Sequence, residues 1–254
     1  MCPVTSPDTQ PADELPDAVL RYAAHDDGLV DVHLPEGDLG PHPLVVLVHG
    51  GFWRQAYDRT HTRPLSTALK AEGFVVASPE YRRVGGAGGW PATAEDLDAV
   101  MAALPDLLAG LGIATSTTTV IGHSAGGHLA LWLANQPHTV DRVVGLAPVG
   151  DLRAAAREEL GNRATQAFLG GEPTEVPAAY DAADPATRFD TRPACEVVIV
   201  HGEEDDVVPV SNSEGLAQRH PFVDLRRLPG IEHFGVIDPT SPAWTAVLGA
   251  VRGE

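Results

Sequence analysis

The sequence predicts an α/β fold, a mostly parallel sheet of eight strands flanked by helices, and three features of its 254 residues support that expectation. Short continuous apolar runs such as Leu44-Val-Val-Leu-Val48 look like strands covered on both faces, as strands of parallel sheets are. These runs alternate with stretches whose apolar residues recur every three or four positions, the spacing of a helix with one buried face. A chain of this length can bury one sizeable core, and neither a repeat nor a linker divides it, so residues 18 to 254 are expected to form one domain.

The elements follow in order. Met1 to Asp17, rich in Pro, Asp and Thr, reads as a loose arm without the apolar core of a secretory signal. Ala18 to Ala24 and Leu29 to Leu34 suggest an antiparallel hairpin closed at Asp27-Gly28, forming a sheet edge. Leu44 to Val48 is the first buried strand and runs into His49-Gly-Gly-Phe-Trp53. A helix over Pro64 to Glu72 ends at Gly73, the strand Phe74 to Ser78 follows, and Gly85 to Gly89 makes a loop before Trp90-Pro91. Pro91 to Leu108 is helical, with Leu97, Val100, Met101 and Leu104 on one face. Thr118 to Ile121 is the next strand, and Leu129, Trp132 and Leu133 mark the helix after it. Asp141 to Ala147 is another strand. Residues 151 to 190 lack a sheet strand and suggest a small cap inserted over the C-terminal edge of the sheet, with two surface helices and a long loop as the alternative. Glu196 to Val200, a helix over Ser211 to His220, a last strand at Val223 to Leu228 and a helix from Pro242 to Val251 complete the domain.

The chemistry concentrates in four junctions. Gly122-His123-Ser124-Ala125-Gly126 fits G-x-S-x-G between a strand and a helix. A serine on so sharp a turn has strained backbone angles, and glycines two residues away let strand and helix pass closely. Ser124 is therefore the candidate nucleophile, and the Ala125 amide at the helix start is a candidate oxyanion donor. The Gly-Gly after His49 lies where a strand of an open sheet meets the ligand crevice, which makes the amides of Gly51 and Phe52 the other candidate donors. His49 is expected to brace that loop rather than carry protons. The loop after Glu196 to Val200 reads His201-Gly-Glu-Glu-Asp-Asp-Val-Val-Pro209, and Asp205, with Asp206 as competitor, is the candidate acid. Of eleven histidines, only His233 falls after that acid, after the last strand and before the terminal helix. The order Ser124, Asp205, His233 is that of a nucleophile, orienting acid and general base on one sheet. His123 and His128 are expected to have structural roles. Phe52, Trp53, Trp90 and Phe168 are candidates for an apolar wall of a substrate pocket, or for plain core packing.

Composition narrows the partners. A net charge of −18 and a pI near 4.8 repel nucleic acid and anionic membranes, and no apolar run reaches the length of a membrane span. A cytoplasmic protein acting on a small molecule is expected, with an oligomeric state that the sequence leaves open. Cys2 and Cys195 are expected to be free thiols. No metal motif occurs, and no cofactor is expected.

Taken together, His49 to Trp53, Gly122 to Gly126, His201 to Pro209 and Gly230 to Phe234 resemble the α/β-hydrolase superfamily over nearly the whole chain. His-Gly-Gly-Phe-Trp is similar to the His-Gly-Gly-Tyr-Trp loop of kynurenine formamidases, with Phe52 in place of tyrosine. The wider pattern resembles carboxylesterases related to hormone-sensitive lipase, where Phe52 replaces the last glycine of His-Gly-Gly-Gly. The resemblance implies a serine hydrolase acting on a small carboxylic ester. An N-formyl aryl amide is the alternative substrate, and acyl transfer or mere ligand binding on the same fold are alternatives of another class.

Overall fold

The computed structural model describes residues 15–37 and 41–254. Cys2 and most of the expected arm lie outside them. Its eight strands are β1 (Ala18–Arg21), β2 (Leu29–His33), β3 (His42–Val48), β4 (Val75–Pro79), β5 (Thr115–His123), β6 (Arg142–Leu146), β7 (Glu196–Gly202) and β8 (Asp224–Leu228). They form one sheet in the order β1-β2-β4-β3-β5-β6-β7-β8. Only β1 with β2 and β2 with β4 pair antiparallel; every other pairing is parallel.

Consecutive side chains of a strand point to opposite faces, and the central strands carry apolar side chains on both faces along their buried stretches because helices cover both sides. Val46 and Val48 join one core with Val120, Val143 and Ile199, against Leu97, Val100 and Leu104 of α2 (Ala92–Gly110) and Leu129 of α3 (Ala125–Leu133). Val45 and Leu47 enter the other core with Ile121, Val144 and Val200, beneath Leu65 and Leu69 of α1 (Arg63–Ala71) and Val247 and Val251 of the terminal helix (Trp244–Arg252). Each fully buried Val or Leu stabilises the domain by about 1.5–3 kcal/mol relative to exposure, which fixes strand register.

The strand order reverses at β3: the chain goes outward to β4, then returns across β3 to β5. Crevices form at such a switch point, beyond the carboxyl ends of the two diverging strands. Here those ends are His49 to Trp53 and Ser124.

Two details differ from expectation. The hairpin loop is wider than a tight turn, since β1 stops at Arg21 and the chain returns through a Tyr22 N–H bond to the Gly28 carbonyl at 3.0 Å; Asp27 is drawn away to the buried Arg83 guanidinium at 2.6 Å. Asp17, assigned to the arm, is tied into the domain: its N–H reaches the Val32 carbonyl at 2.9 Å, and its carboxylate pairs with Lys70 at 2.9 Å. Residues 151–190 form four helices, α4 (Leu152–Arg157), α5 (Leu160–Leu169), α6 (Pro177–Ala183) and α7 (Pro185–Arg188); α8 (Val210–Arg219) and α9 (Trp244–Arg252) follow. No helix among the described residues is long and apolar enough to cross a membrane.

Candidate active site

Ser124 sits between β5 and α3 with φ 56° and ψ −118°, a left-handed conformation that costs a non-glycine residue of order 1–3 kcal/mol. The surroundings over-determine it. Its N–H donates to the Leu146 carbonyl at the end of β6 (2.9 Å), and its carbonyl accepts from His128 (3.0 Å) and Val149 (3.2 Å). The neighbouring glycines are sterically obligatory: a Cβ on Gly122 would run into the Gly126 carbonyl, and one on Gly126 into the Val48 and His49 carbonyls. The elbow is thus pressed against β3, and Ala125 stands at the first position of α3, where a helix leaves its N–H groups without internal partners.

The loop after β3 meets the serine from the other side. A Cβ on Gly50 would lie 3.2 Å from the Ser124 Cβ, so the loop backbone approaches the serine as closely as its lack of a side chain permits. Gly51, Phe52 and Trp53 all take positive φ (106°, 52° and 56°). Among the described residues, no backbone carbonyl is paired with the Gly51 or Phe52 amide. His49 braces the loop, as expected: one ring nitrogen bonds the Gly50 carbonyl (2.8 Å) and the other Glu80 Oε1 (2.7 Å). The ring stacks on Tyr81, whose hydroxyl donates to the His49 carbonyl at 2.8 Å. Glu80, which the sequence did not mark, also accepts from Arg83 at 3.1 Å and from the Arg59 and Tyr81 amides. Burial pushes its carboxyl up, but the His49 and Arg83 charges and these bonds hold it below the usual carboxylate range.

At the ends of β7 and β8, His233 Nδ1 donates to Asp205 Oδ2 at 2.6 Å, with both side chains buried. Asp206 is exposed, whereas Asp205 is the aspartate buried against this histidine. Asp205 Oδ1 accepts from the Val207 and Val208 amides at 2.9 and 2.8 Å, and Oδ2 also faces His201 Nε2 at 3.2 Å. Burial alone would raise this carboxyl; the bonds from His201, His233 and Val208 and the His233 charge hold it far below the carboxylate range. His123 joins this histidine to the elbow. Its Nε2–H donates to the His233 carbonyl at 3.0 Å, and the two rings lie 4.5 Å apart. Burial first, then the neighbouring His233, hold His123 well below the ordinary histidine range, so it is a neutral donor. Its spacing beside the serine carried no sign of that role.

Two of the four aromatic residues expected as a wall are core. Trp53 is 0 % and Phe168 1 % exposed; the rings stack at 4.6 Å, because the Trp53 indole turns inward to donate to His128 Nδ1 at 3.2 Å. Trp90 stays partly open, edge-on to Phe168 at 6.2 Å, and Phe52 is partly open beneath Gly161 of α5, whose Cβ would strike its ring. The exposed aromatics near the site are others: Tyr57, against Gly51, and Phe234, edge-on to His233 at 5.1 Å, each 47 % exposed. Residues 151–190 reach this rim, since the Arg54 guanidinium donates to the Gly161 and Asn162 carbonyls and the Trp90 amide to the Phe168 carbonyl at 2.9 Å. Among the described residues, no group of three or more His, Cys, Asp or Glu side chains is arranged to hold a metal ion, and Cys195 is a free thiol.

Comparison with known proteins shows the family and the fold. The family model BD-FAE matches residues 30–219. The chain belongs to the BD-FAE family. The matched span of this BD-FAE member runs from β2 to the end of α8; it includes Ser124 and Asp205 and stops before His233. A curated relative, Esterase LipC of Mycobacterium tuberculosis, is 26 % identical in an alignment of 240 residues that covers 84 % of this chain and 59 % of that protein. The chain thus spans 59 % of its relative's length. Among solved structures, a truncated carbohydrate esterase from gut microbiota superposes with TM-score 0.81 at 20 % identity, covering 96 % of this chain and 99 % of that one. Esterase B from Lactobacillus rhamnosis superposes with TM-score 0.79 at 18 % identity, covering 94 % and 86 %. The fold of this BD-FAE member is that of the α/β-hydrolases.

Proposed function

We propose that the protein is a serine hydrolase that cleaves small carboxylic esters, with Ser124 as nucleophile, His233 as general base and Asp205 as the orienting acid. The 2.6 Å bond between His233 Nδ1 and Asp205 Oδ2 carries this reading. It spends the Nδ1 proton on the carboxylate and leaves Nε2 with a free lone pair, the form a general base needs. Nε2 takes the Ser124 hydroxyl proton as the oxygen attacks the ester carbonyl, and the negative charge passes to the carbonyl oxygen, held by the amides of Gly51, Phe52 and Ala125. The tetrahedral centre collapses, the alkoxide leaves with the proton from Nε2, and Ser124 keeps the acyl group. A water then loses its proton to Nε2, attacks the acyl carbon and releases the acid, and Ser124 regains its proton. The esterase relatives and neighbours support the ester class.

The test is labelling by a fluorophosphonate together with turnover of nitrophenyl esters. Ser124→Ala abolishes labelling and lowers kcat by roughly 10⁴-fold or more. Labelling that persists in Ser124→Ala refutes the nucleophile. N-Formylkynurenine belongs in the same assay, because the His49 to Trp53 loop is similar to that of formamidases; preferential turnover of the formamide moves the substrate class to aryl formamides. Product analysis with added alcohol or amine separates hydrolysis from acyl transfer.

A further inference from the structure

Resting on the catalytic reading above, we propose that His201 and Ser213 are positioning residues for the catalytic acid, a hydrogen-bonded strut that aims Asp205 at His233 and divides its charge between two histidines. His201 lies at the end of β7 and is wholly buried. Its Nε2 faces two acceptors, Asp205 Oδ2 at 3.2 Å and the Val208 carbonyl at 2.9 Å. Neither acceptor has a proton to give, so Nε2 carries the hydrogen and shares it between them. In the neutral ring Nδ1 is then the bare nitrogen, and it accepts the hydroxyl proton of Ser213, 2.7 Å away on α8.

The carboxylate is consequently held at both oxygens. Oδ1 is fixed by the Val207 and Val208 amides, which belong to its own loop and move with it. Oδ2 is the oxygen that orients His233, and His201 is its only other side-chain donor among the described residues. Because β7 lies inside the sheet between β6 and β8, His201 ties this oxygen to the rigid scaffold. His201 also withdraws part of the Oδ2 charge. Without it the same charge falls on His233 alone, the imidazolium becomes easier to form, and the base stays protonated to a higher pH. Asp205 bonds His233 directly, while His123 touches it through the ring face and its backbone carbonyl; Phe234, also packed on it, does not titrate.

The experiment compares His201→Leu, His201→Gln and Ser213→Ala with the parent in the full chain. Gln places a side-chain N–H close to the position of Nε2, whereas Leu fills the space without a donor. In His201→Leu the expected result is a kcat lower by roughly 10–100-fold at nearly constant KM, as is common when a partner behind a catalytic ligand is lost. The acid limb of kcat/KM moves to higher pH. His201→Gln restores most of both, and Ser213→Ala, which does not touch Asp205, shows a weaker shift of the same sign. The low-field proton resonance of His233 Nδ1–H, read without substrate, moves further downfield in His201→Leu.

A His201→Leu protein that is folded, with an unmoved acid limb and an unmoved Nδ1–H resonance, overturns the strut. So does a His201→Gln variant as impaired as His201→Leu, because packing alone then explains the loss. Failure of the catalytic reading is separately visible: Ser124→Ala and Asp205→Asn both at parental activity would refute the triad, whatever the resonance does.

Discussion

Ser124 holds a backbone conformation that its own chemistry disfavours, and two glycines make it affordable. In Gly122→Ala the new methyl group meets the Gly126 carbonyl, which is backbone and has nowhere to go. Overpacking of this kind costs about 1–3 kcal/mol; the variant is expected to melt lower and to label slowly with fluorophosphonate, and parental behaviour in both would show that the elbow has slack. His123→Ala removes the donor to the His233 carbonyl and opens a cavity beside the base. Its expected signature is a lower kcat with labelling retained. Asp31 shows the same dependence on partners away from the site. Wholly buried, it pairs with Arg59 at 2.8 Å and Arg63 at 2.9 Å. Asp31→Asn leaves those guanidinium groups facing a neutral amide, and a loss of about 3 kcal/mol in denaturant unfolding is expected.

Between elements, His128 is the pin. It lies on α3 directly after the elbow, accepts from the Trp53 indole of the loop after β3 at 3.2 Å, and donates from Nε2 to the Ala183 carbonyl of α6 at 3.0 Å. An imidazolium cannot accept from Trp53, and burial pushes the His128 pKa down to about 4. The unfolded chain takes up this proton near pH 6.5 and the folded one only near 4, so stability is full above pH 6.5 and falls as pH drops between those values. The most this group can contribute is on the order of 3 kcal/mol. Melting temperature followed from pH 7 to pH 4 is expected to fall less steeply in His128→Gln; an unchanged slope would remove His128 from the acid response. Asp184 has the opposite sign. Burial raises its carboxyl to about 6, so its contribution is present below pH 4 and is lost as pH rises through 6. Asp184 Oδ1 accepts from the Leu152 and Ala186 amides at 3.0 and 3.2 Å, bonds that favour the anion and offset part of the cost of burying it.

For the molecule as a whole, a charge of −18 adds repulsion that opposes compactness. Salt screens exposed charges within about 8 Å at physiological ionic strength, so the melting temperature is expected to rise from low salt to 0.15 M. A fall would mean that surface ion pairs such as Arg142 with Glu196 outweigh the net repulsion.

The sequence by itself determined the alternation of elements, the elbow and the choice of Ser124, Asp205 and His233 as candidates, because each depends on local rules: period, glycine where a Cβ cannot fit, and order along the chain. It also marked His49 as a brace. It left unread whatever depends on which side chains meet across the sheet. Trp53 and Phe168 have the chemistry of a pocket wall and are core, since His128 and the covering helices draw them inward. Tyr57 and Phe234 line the rim without any periodic signal. His201, four residues before the acid it supports, looks like part of a turn motif until β7 and α8 are packed and its two nitrogens find Asp205 and Ser213. A hydrogen bond between residues far apart in sequence leaves no spacing to read, and only the folded backbone decides which donor reaches which acceptor.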